Sequence, residues 1–181
     1  MIAKYLIFAA IEIAILFWII GAIKNKIRHD IAMAVGYFLF ISLCFENFGN
    51  LFSFQYWELC NITTLKIIGF ILLGISIIIA LTTFFTMKSL GKPEKGWENT
   101  TQLIEKGIFS LVRHPIYFAA FLASTGVFLI KVSLFSVIIV CISDTCFFLA
   151  AFYEDKWNKE KFGEYYEKYK KKTKLFIPFI Y

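Results

Sequence analysis

Five long apolar runs dominate the sequence, at residues 5–23, 31–54, 65–87, 116–130 and 133–153. A helix of about 20 apolar residues crosses the hydrocarbon core of a bilayer and satisfies its own backbone hydrogen bonds there. The pattern therefore predicts an all-α integral membrane protein with about five transmembrane helices. Only Lys131 and Val132 separate the last two runs, so we expect the last two helices to form a tight hairpin.

The composition excludes an ordinary soluble domain. Hydrophobic residues make up 59% of the 181 residues, whereas soluble domains contain about 45–50%. We expect a single membrane domain over residues 1–181, with three spans in residues 1–87 and the last two spans and a tail in residues 88–181. The fourth run is short for a full crossing of the bilayer.

The formal charge of +6 is unevenly distributed along the chain. Basic residues gather in the first connection (24–30), the third connection (88–97) and the tail (154–174), while the other connections hold few of them. By the positive-inside rule, this predicts a multi-pass protein with its N-terminus outside and its C-terminus in the cytoplasm. Basic clusters beside apolar spans indicate contact with membrane lipid rather than with nucleic acid.

The tail alternates acidic residues and lysines, with aromatic residues placed among them. Phe162, Tyr166 and Tyr169 follow one another at i, i+4 and i+7, which is the spacing of one helical face. This predicts a C-terminal amphipathic helix over residues 154–174 that lies in the membrane interface. A membrane anchor with no other role is the alternative interpretation of the same pattern.

Three carboxylates, those of Glu12, Glu46 and Asp144, lie inside apolar runs. A charged side chain at that depth is expensive, so each carboxylate needs a partner or a polar cavity. Asp144 and Glu46 are weak candidates for a catalytic base, and the residues assign no other catalytic group. A purely structural hydrogen-bonding role is the alternative for both.

Metal binding is not expected. The four cysteines form no C-x-x-C pair, and His29 and His114 are the only histidines in the sequence. These residues do not supply the ligand spacing of a zinc site. Cysteines within apolar runs are typical of small buried hydrophobic residues.

A polar motif, Arg113-His114-Pro115-Ile116-Tyr117, stands where the third connection ends and the fourth apolar run begins. It brings a cation, an imidazole, a helix-starting proline and a phenol to one depth at the edge of the membrane. Polar side chains are costly at that position, which makes the motif the strongest candidate for a functional site.

Several motifs occur in a fixed order after the third span. Gly107-Ile108-Phe109 comes first, then Arg113 to Tyr117, then Glu154-Asp155, and finally Phe162-Gly163, Tyr166, Tyr169 and Pro178. In order and spacing they resemble the isoprenylcysteine carboxyl methyltransferase family, a group of integral membrane methyltransferases related to the phospholipid methyltransferases. The first three spans resemble that family in number and hydrophobicity alone.

The resemblance implies a pocket for S-adenosylmethionine between the last spans and the tail, so that residues 88–181 form a methyltransferase core. The implied reaction is methyl transfer to a small lipophilic or lipid acceptor at the cytoplasmic side of the membrane. The glycine-rich G-x-G-x-x-G fingerprint of soluble nucleotide-binding domains does not occur in the sequence. The resemblance assigns the cofactor contacts to Thr101, Gln102, Leu103, Ile104, Phe109, Arg113, His114, Pro115, Ile116, Tyr117, Glu154 and Tyr166.

The acceptor and two other function classes stay open at the level of sequence. Ala150 stands where the prenylcysteine enzymes carry an arginine associated with the substrate carboxylate, so the resemblance does not extend to prenylcysteine. A lipid amine, a phenol, a thiol and a carboxylate are all compatible acceptors. The alternatives to a methyltransferase are an NADPH-dependent membrane reductase of the steroid 5-alpha-reductase-like group and a non-enzymatic protein that binds a lipid or a partner.

Overall fold

The computed structural model describes residues 2–51, 58–94 and 100–177. Pro178, the last residue of the tail motif, lies outside these ranges. The described ranges contain a short 3₁₀ helix at Gly107–Ser110 and two short strands, β1 (Glu58–Cys60) and β2 (Val132–Ser133). The α-helices are α1 (Ile2–Lys24), α2 (Arg28–Gly49), α3 (Thr63–Leu90), α4 (Pro115–Ile130), α5 (Leu134–Phe162) and α6 (Glu164–Lys172).

The helices confirm the prediction of an all-α integral membrane protein. Four of them, α1, α2, α3 and α5, are long and apolar enough to cross a bilayer. Helix α4 is also apolar but has only 16 residues. At 1.5 Å per residue it is about 24 Å long, shorter than the roughly 30 Å hydrocarbon core.

The long helices pack as antiparallel pairs. Helix α3 packs along α4, α2 packs along α5, and α1 lies against α2. The α3–α4 pair crosses at two glycines, where a Cβ atom built on Gly69 would lie 2.6 Å from the carbonyl oxygen of Gly126. Small residues at such a crossing let two helix backbones approach closely, which favours packing in a membrane where the hydrophobic effect contributes little.

The predicted hairpin between the last two apolar runs is present. Helices α4 and α5 are joined through Lys131 and β2, which pairs antiparallel with β1. Ser133 and Ser136 form a reciprocal capping box at the start of α5. Such a cap satisfies two backbone donors at a helix end, and so allows a sharp turn directly after α4.

The short α4 leaves a recess at one end of the helix bundle. Tyr117 contacts Glu154 across the hairpin, so α4 begins at the level of Glu154, while α5 continues to Phe162. The close contact of Gly69 with Gly126 likewise leaves the last turns of α3 beyond the start of α4. Helix α6 and the described part of the chain that leads into α4, residues 100–114, occupy the space between these two projecting helix ends.

The predicted tail helix over residues 154–174 is wrong in its bounds. Residues up to Phe162 continue α5 without a break, and the chain then turns at Gly163, which has φ 58° and ψ −131°. A positive φ is available to glycine at little cost, so the tail restarts in a new direction as α6. Tyr166 and Tyr169 are buried in the protein, with relative exposures of 1% and 3%, and do not face lipid.

The carboxylates inside the apolar runs all have partners. Glu12 accepts a hydrogen bond of 3.0 Å from Ser42, and Asp144 accepts hydrogen bonds from Ser124 and Thr125 on α4. Glu46 pairs with Lys131 at 3.4 Å, at the end of the bundle away from the recess. Pairing of this kind reduces the cost of placing a carboxylate at membrane depth.

The glycine crossing provides a test of the packing. In Gly69→Val the new side chain meets the Gly126 carbonyl and Ile130, so we expect the thermal unfolding temperature in detergent to fall by an amount that corresponds to about 1–3 kcal/mol. Gly74→Val is the matched control on the same helix, because no atom lies within 4 Å of its Cβ position. Equal losses in the two variants would contradict the proposed close contact.

Candidate functional site

A cavity lies in the recess above the start of α4. It is bounded by the end of α3, the chain from Thr100 to Arg113, the last turns of α5 and one face of α6. Carboxylate, guanidinium, phenol, amide and large apolar groups all contribute to its wall. The lining residues are Met87, Thr100, Leu103, Ile104, Phe109, Arg113, Glu154, Trp157, Asn158, Phe162, Tyr166 and Tyr169.

The cavity has a volume of about 50 Å³. Pockets that hold drug-sized ligands measure roughly 300–1,000 Å³. A ligand as large as a nucleoside therefore fits only if α6 or the chain before the 3₁₀ helix moves outward.

Glu154 lies at the bottom of the cavity and contacts two residues of the Arg113 to Tyr117 motif. The hydroxyl of Tyr117 donates a 2.6 Å hydrogen bond to Oε2 of Glu154, and Nδ1 of His114 lies 3.6 Å from the same oxygen. Pro115 starts α4 at its first position, where the missing backbone donor costs nothing. The proline thus fixes the helix start that brings His114 and Tyr117 to one carboxylate.

Asp155 connects the motif to the tail. Its carboxylate accepts hydrogen bonds from Nε of Arg113 at 2.7 Å, from the hydroxyl of Tyr166 at 2.8 Å and from Nζ of Lys170 at 2.7 Å. Nε2 of His114 lies 3.7 Å away. The Asp155 cluster, defined as these five residues, joins α5, the start of α4 and α6.

The tail is also held by backbone contacts. Arg113 donates its backbone N–H to the carbonyl of Lys174 at 2.9 Å, and Lys174 donates to the carbonyl of Leu111 at 3.0 Å. The hydroxyl of Tyr169 donates to the carbonyl of Phe109 at 2.6 Å. These contacts position α6 as a cover over the cavity.

The charges around the cavity fix the protonation of its donors. Burial alone lowers the pKa of His114, but the carboxylates of Asp155 and Glu154 outweigh burial and raise the pKa above its usual value. Burial and the charge of Asp155 raise the pKa of Tyr166, and burial raises the pKa of Tyr169. Both phenols therefore stay protonated at neutral pH and act as hydrogen-bond donors.

The residues that the sequence assigned to a cofactor fall into three groups. Six of them line the cavity, and four others, His114, Pro115, Ile116 and Tyr117, form the buried or half-buried layer behind it. Thr101 and Gln102 are exposed and bond through their backbone N–H groups to the carbonyl of Gly91. The six lining residues are Leu103, Ile104, Phe109, Arg113, Glu154 and Tyr166.

The two weak candidates for a catalytic base are not brought to the cavity. Asp144 lies ten residues before Glu154 on α5, which is about 15 Å of helix, and it is bonded to Ser124 and Thr125. Glu46 lies at the opposite end of the bundle with Lys131. Neither residue belongs to the cavity lining.

The site assignment from sequence omitted several residues that the structure places at the cavity or, in the case of Asp155, directly beside it. Asp155 stood out in the sequence only as the second acid of its motif, although a carboxylate next to a Lys-rich tail favours an ion pair. The spacing of Glu154, Asn158 and Phe162 at i, i+4 and i+8 could have indicated one helical face. The other omitted lining residues are Met87, Thr100, Trp157 and Tyr169.

Comparison with known proteins bears on the part of the chain that builds this cavity. The family model described as phospholipid methyltransferase matches residues 64–165, more than half of the chain. The match includes α3 from its second residue onward and the whole of α4 and α5. It also includes all the lining residues except Tyr166 and Tyr169. No curated protein and no solved structure gave a significant match.

Removal of the Asp155 charge tests the cluster that holds the tail. Asp155→Asn leaves the guanidinium of Arg113, whose side chain is 7% exposed, without its anionic partner. A buried charge that loses its partner typically costs about 3–5 kcal/mol, so we expect a clear fall in the thermal unfolding temperature in detergent. Glu160→Gln, an exposed position on the same helix, is the control, and an equal effect in both would rule out a special role for the cluster.

The raised pKa of His114 predicts a pH dependence of stability. Because the folded-state pKa lies above the usual value of 6.5, the contribution of protonated His114 is fully present below pH 6.5 and is lost as the pH rises through the folded-state pKa. We therefore expect the difference in unfolding temperature between wild type and His114→Gln to shrink between pH 6 and pH 9. Thermal unfolding in a pH series measures this, and a constant difference would refute it.

Proposed function

The chain belongs to the phospholipid methyltransferase family, and we propose that it transfers a methyl group from S-adenosylmethionine to a small lipophilic or lipid acceptor. Membership makes the protein a membrane methyltransferase that acts on lipids. The cofactor and its contacts with the cavity lining are our proposal. The observation that carries it is the junction of Glu154 with the Arg113 to Tyr117 motif at the bottom of a mixed polar and apolar cavity.

The chemistry of the lining suits the three parts of this cofactor. An amino acid ammonium and ribose hydroxyls favour a carboxylate acceptor, and the Glu154 side chain is 23% exposed. A carboxylate favours the donors of Arg113 and the protonated phenols. An adenine ring favours apolar and aromatic walls such as Ile104 and Phe109.

The protein contributes mainly position and exclusion of water. When bound, S-adenosylmethionine supplies an electrophilic methyl group on a positively charged sulfur. Because the positive charge that is concentrated on sulfur becomes spread between sulfur and the acceptor during transfer, a dry and apolar enclosure does not oppose the reaction. Glu154, held by Tyr117, fixes one end of the site, and the cover formed by α6 keeps water from the reacting atoms.

We further propose that the cavity opens to the cytoplasm. The basic connection before α2 and the basic helix α6 lie at the same end of the bundle, since His29 contacts Trp157 with ring centroids 5.5 Å apart. The third connection lies at this end too, because Lys161 at the end of α5 donates a hydrogen bond of 2.7 Å to the carbonyl of Thr100. Connections that are rich in Lys and Arg preferentially face the cytoplasm.

Binding of the cofactor product tests the proposal directly. We expect S-adenosylhomocysteine to bind the purified protein in detergent, measured by calorimetry or thermal shift, and Glu154→Ala to weaken binding by at least about tenfold, or 1.4 kcal/mol. Glu160→Gln serves as the matched control on α5. Binding of NADPH alone would favour a reductase, and binding of neither ligand would favour a non-enzymatic protein.

A further inference from the structure

Two parts of the chain enclose the cavity, and they are held in place very differently. One is α6, which covers the cavity from the tail. The other is residues 100–106, called the strap, of which Thr100, Leu103 and Ile104 line the cavity. Because a cavity of about 50 Å³ is far too small for a nucleoside, one of the two parts has to move before such a ligand enters.

Helix α6 is fixed by polar and apolar contacts together. Tyr166 in its first turn and Lys170 in its last turn both donate hydrogen bonds to the buried carboxylate of Asp155. Leu175 and Phe176, directly beyond α6, are buried in the hydrophobic core. Outward movement of α6 therefore breaks hydrogen bonds to a buried charge and pulls on apolar side chains in the core at the same time.

The middle of the strap is held by the packing of two apolar side chains. Leu103 is half-buried and Ile104 is buried, and both line the cavity. Among the residues that the structure describes, no hydrogen bond involves Leu103, Ile104 or Glu105. Glu105 and Lys106 are exposed. A segment with few hydrogen bonds and few buried contacts opens at a lower free energy than one with many.

A glycine lies at each end of the strap. At one end, the backbone N–H groups of Thr101 and Gln102 donate to the carbonyl of Gly91 at 2.9 and 3.2 Å. A Cβ added at Gly91 would lie 2.4 Å from Cγ2 of Thr100, so the strap rests directly on this glycine. At the other end, Gly107 has φ 62° and meets no described atom within 4 Å of its Cβ position. A glycine in such open space changes conformation without a steric penalty.

One hydrogen bond ties the strap to the end of α5. Nζ of Lys161 donates to the carbonyl of Thr100 at 2.7 Å. The same ammonium lies 4.5 Å from the centre of the Trp157 ring and 5.3 Å from that of Phe162. These cation–π contacts hold the lysine beside the cavity, since both rings belong to the lining. Because Lys161 is exposed, water readily replaces the hydrogen bond, and the strap can leave α5 reversibly.

We propose that the strap is the lid of the cavity, and that the hydrogen bond from Lys161 to Thr100 is its latch. When the latch breaks, the strap swings outward about Gly91 and Gly107 while α6 stays in place. This inference rests on the proposed function, because the ligand that needs the opening is the cofactor. The strap then sets how fast S-adenosylmethionine enters and S-adenosylhomocysteine leaves, and its apolar side chains exclude water when it closes.

The experiment locks each of the two covers separately in the full-length protein in detergent, with its four native cysteines replaced by alanine. Thr100→Cys with Lys161→Cys puts a thiol on each side of the latch. Lys159→Cys with Glu167→Cys replaces the exposed 2.9 Å ion pair that joins α5 to α6. A short reagent with two methanethiosulfonate groups crosslinks each pair, and a reducing agent releases it. The rates of S-adenosylhomocysteine association and dissociation are then measured.

The two locks have opposite expected results. We expect the crosslinked strap to bind S-adenosylhomocysteine at least about a hundredfold more slowly than its reduced form, and the crosslinked tail to bind within about twofold of its reduced form. Slow binding with the tail lock alone would make α6 the lid. Slow binding with both locks, or with neither, would also overturn the proposal. If the wild type does not bind S-adenosylhomocysteine, the proposed function is refuted and this inference falls with it.

A single substitution tests the latch itself. Lys161→Met keeps the apolar stem but removes the donor, and we expect both rates to rise about three- to tenfold, because the latch closes the cavity with or without ligand. Lys156→Met is the matched control on α5, since this exposed lysine lies 4.3 Å from the centre of the Phe152 ring, and its rates should equal those of wild type. Unchanged rates in Lys161→Met, or a rise in dissociation alone as for a ligand contact, would overturn the assignment of the latch.

Discussion

The site depends on one buried carboxylate, that of Asp155. It receives hydrogen bonds from Arg113 at the start of α4 and from Tyr166 and Lys170 on α6. A buried carboxylate is tolerated when its partners satisfy it, and buried cations are tolerated for the same reason. The contacts that help to hold α6 over the cavity are therefore the same contacts that balance the buried charges beneath it.

The place of the cavity follows from the unequal lengths of the helices. Helix α4 has 16 residues and α5 has 29, which corresponds to about 24 Å and about 44 Å. Since the two helices form a hairpin with a tight turn, the whole difference appears at the other end, above Pro115. The recess and its cavity therefore lie at the Pro115 end of the bundle, opposite the hairpin turn.

The sequence predicted the spans and the hairpin because hydropathy follows from the bilayer itself and needs no tertiary information. The sequence also drew attention to the motif at Arg113 to Tyr117, because polar groups at a membrane edge are costly. The structure brings this motif into contact with Glu154 and Asp155. The sequence did not predict that residues after Tyr153 continue α5, because a charged helix end and an interfacial helix have the same alternating pattern. The direction that the chain takes after Gly163, and the choice of donors around Asp155, depend on tertiary contacts. The spacing of residues along the sequence does not encode these contacts.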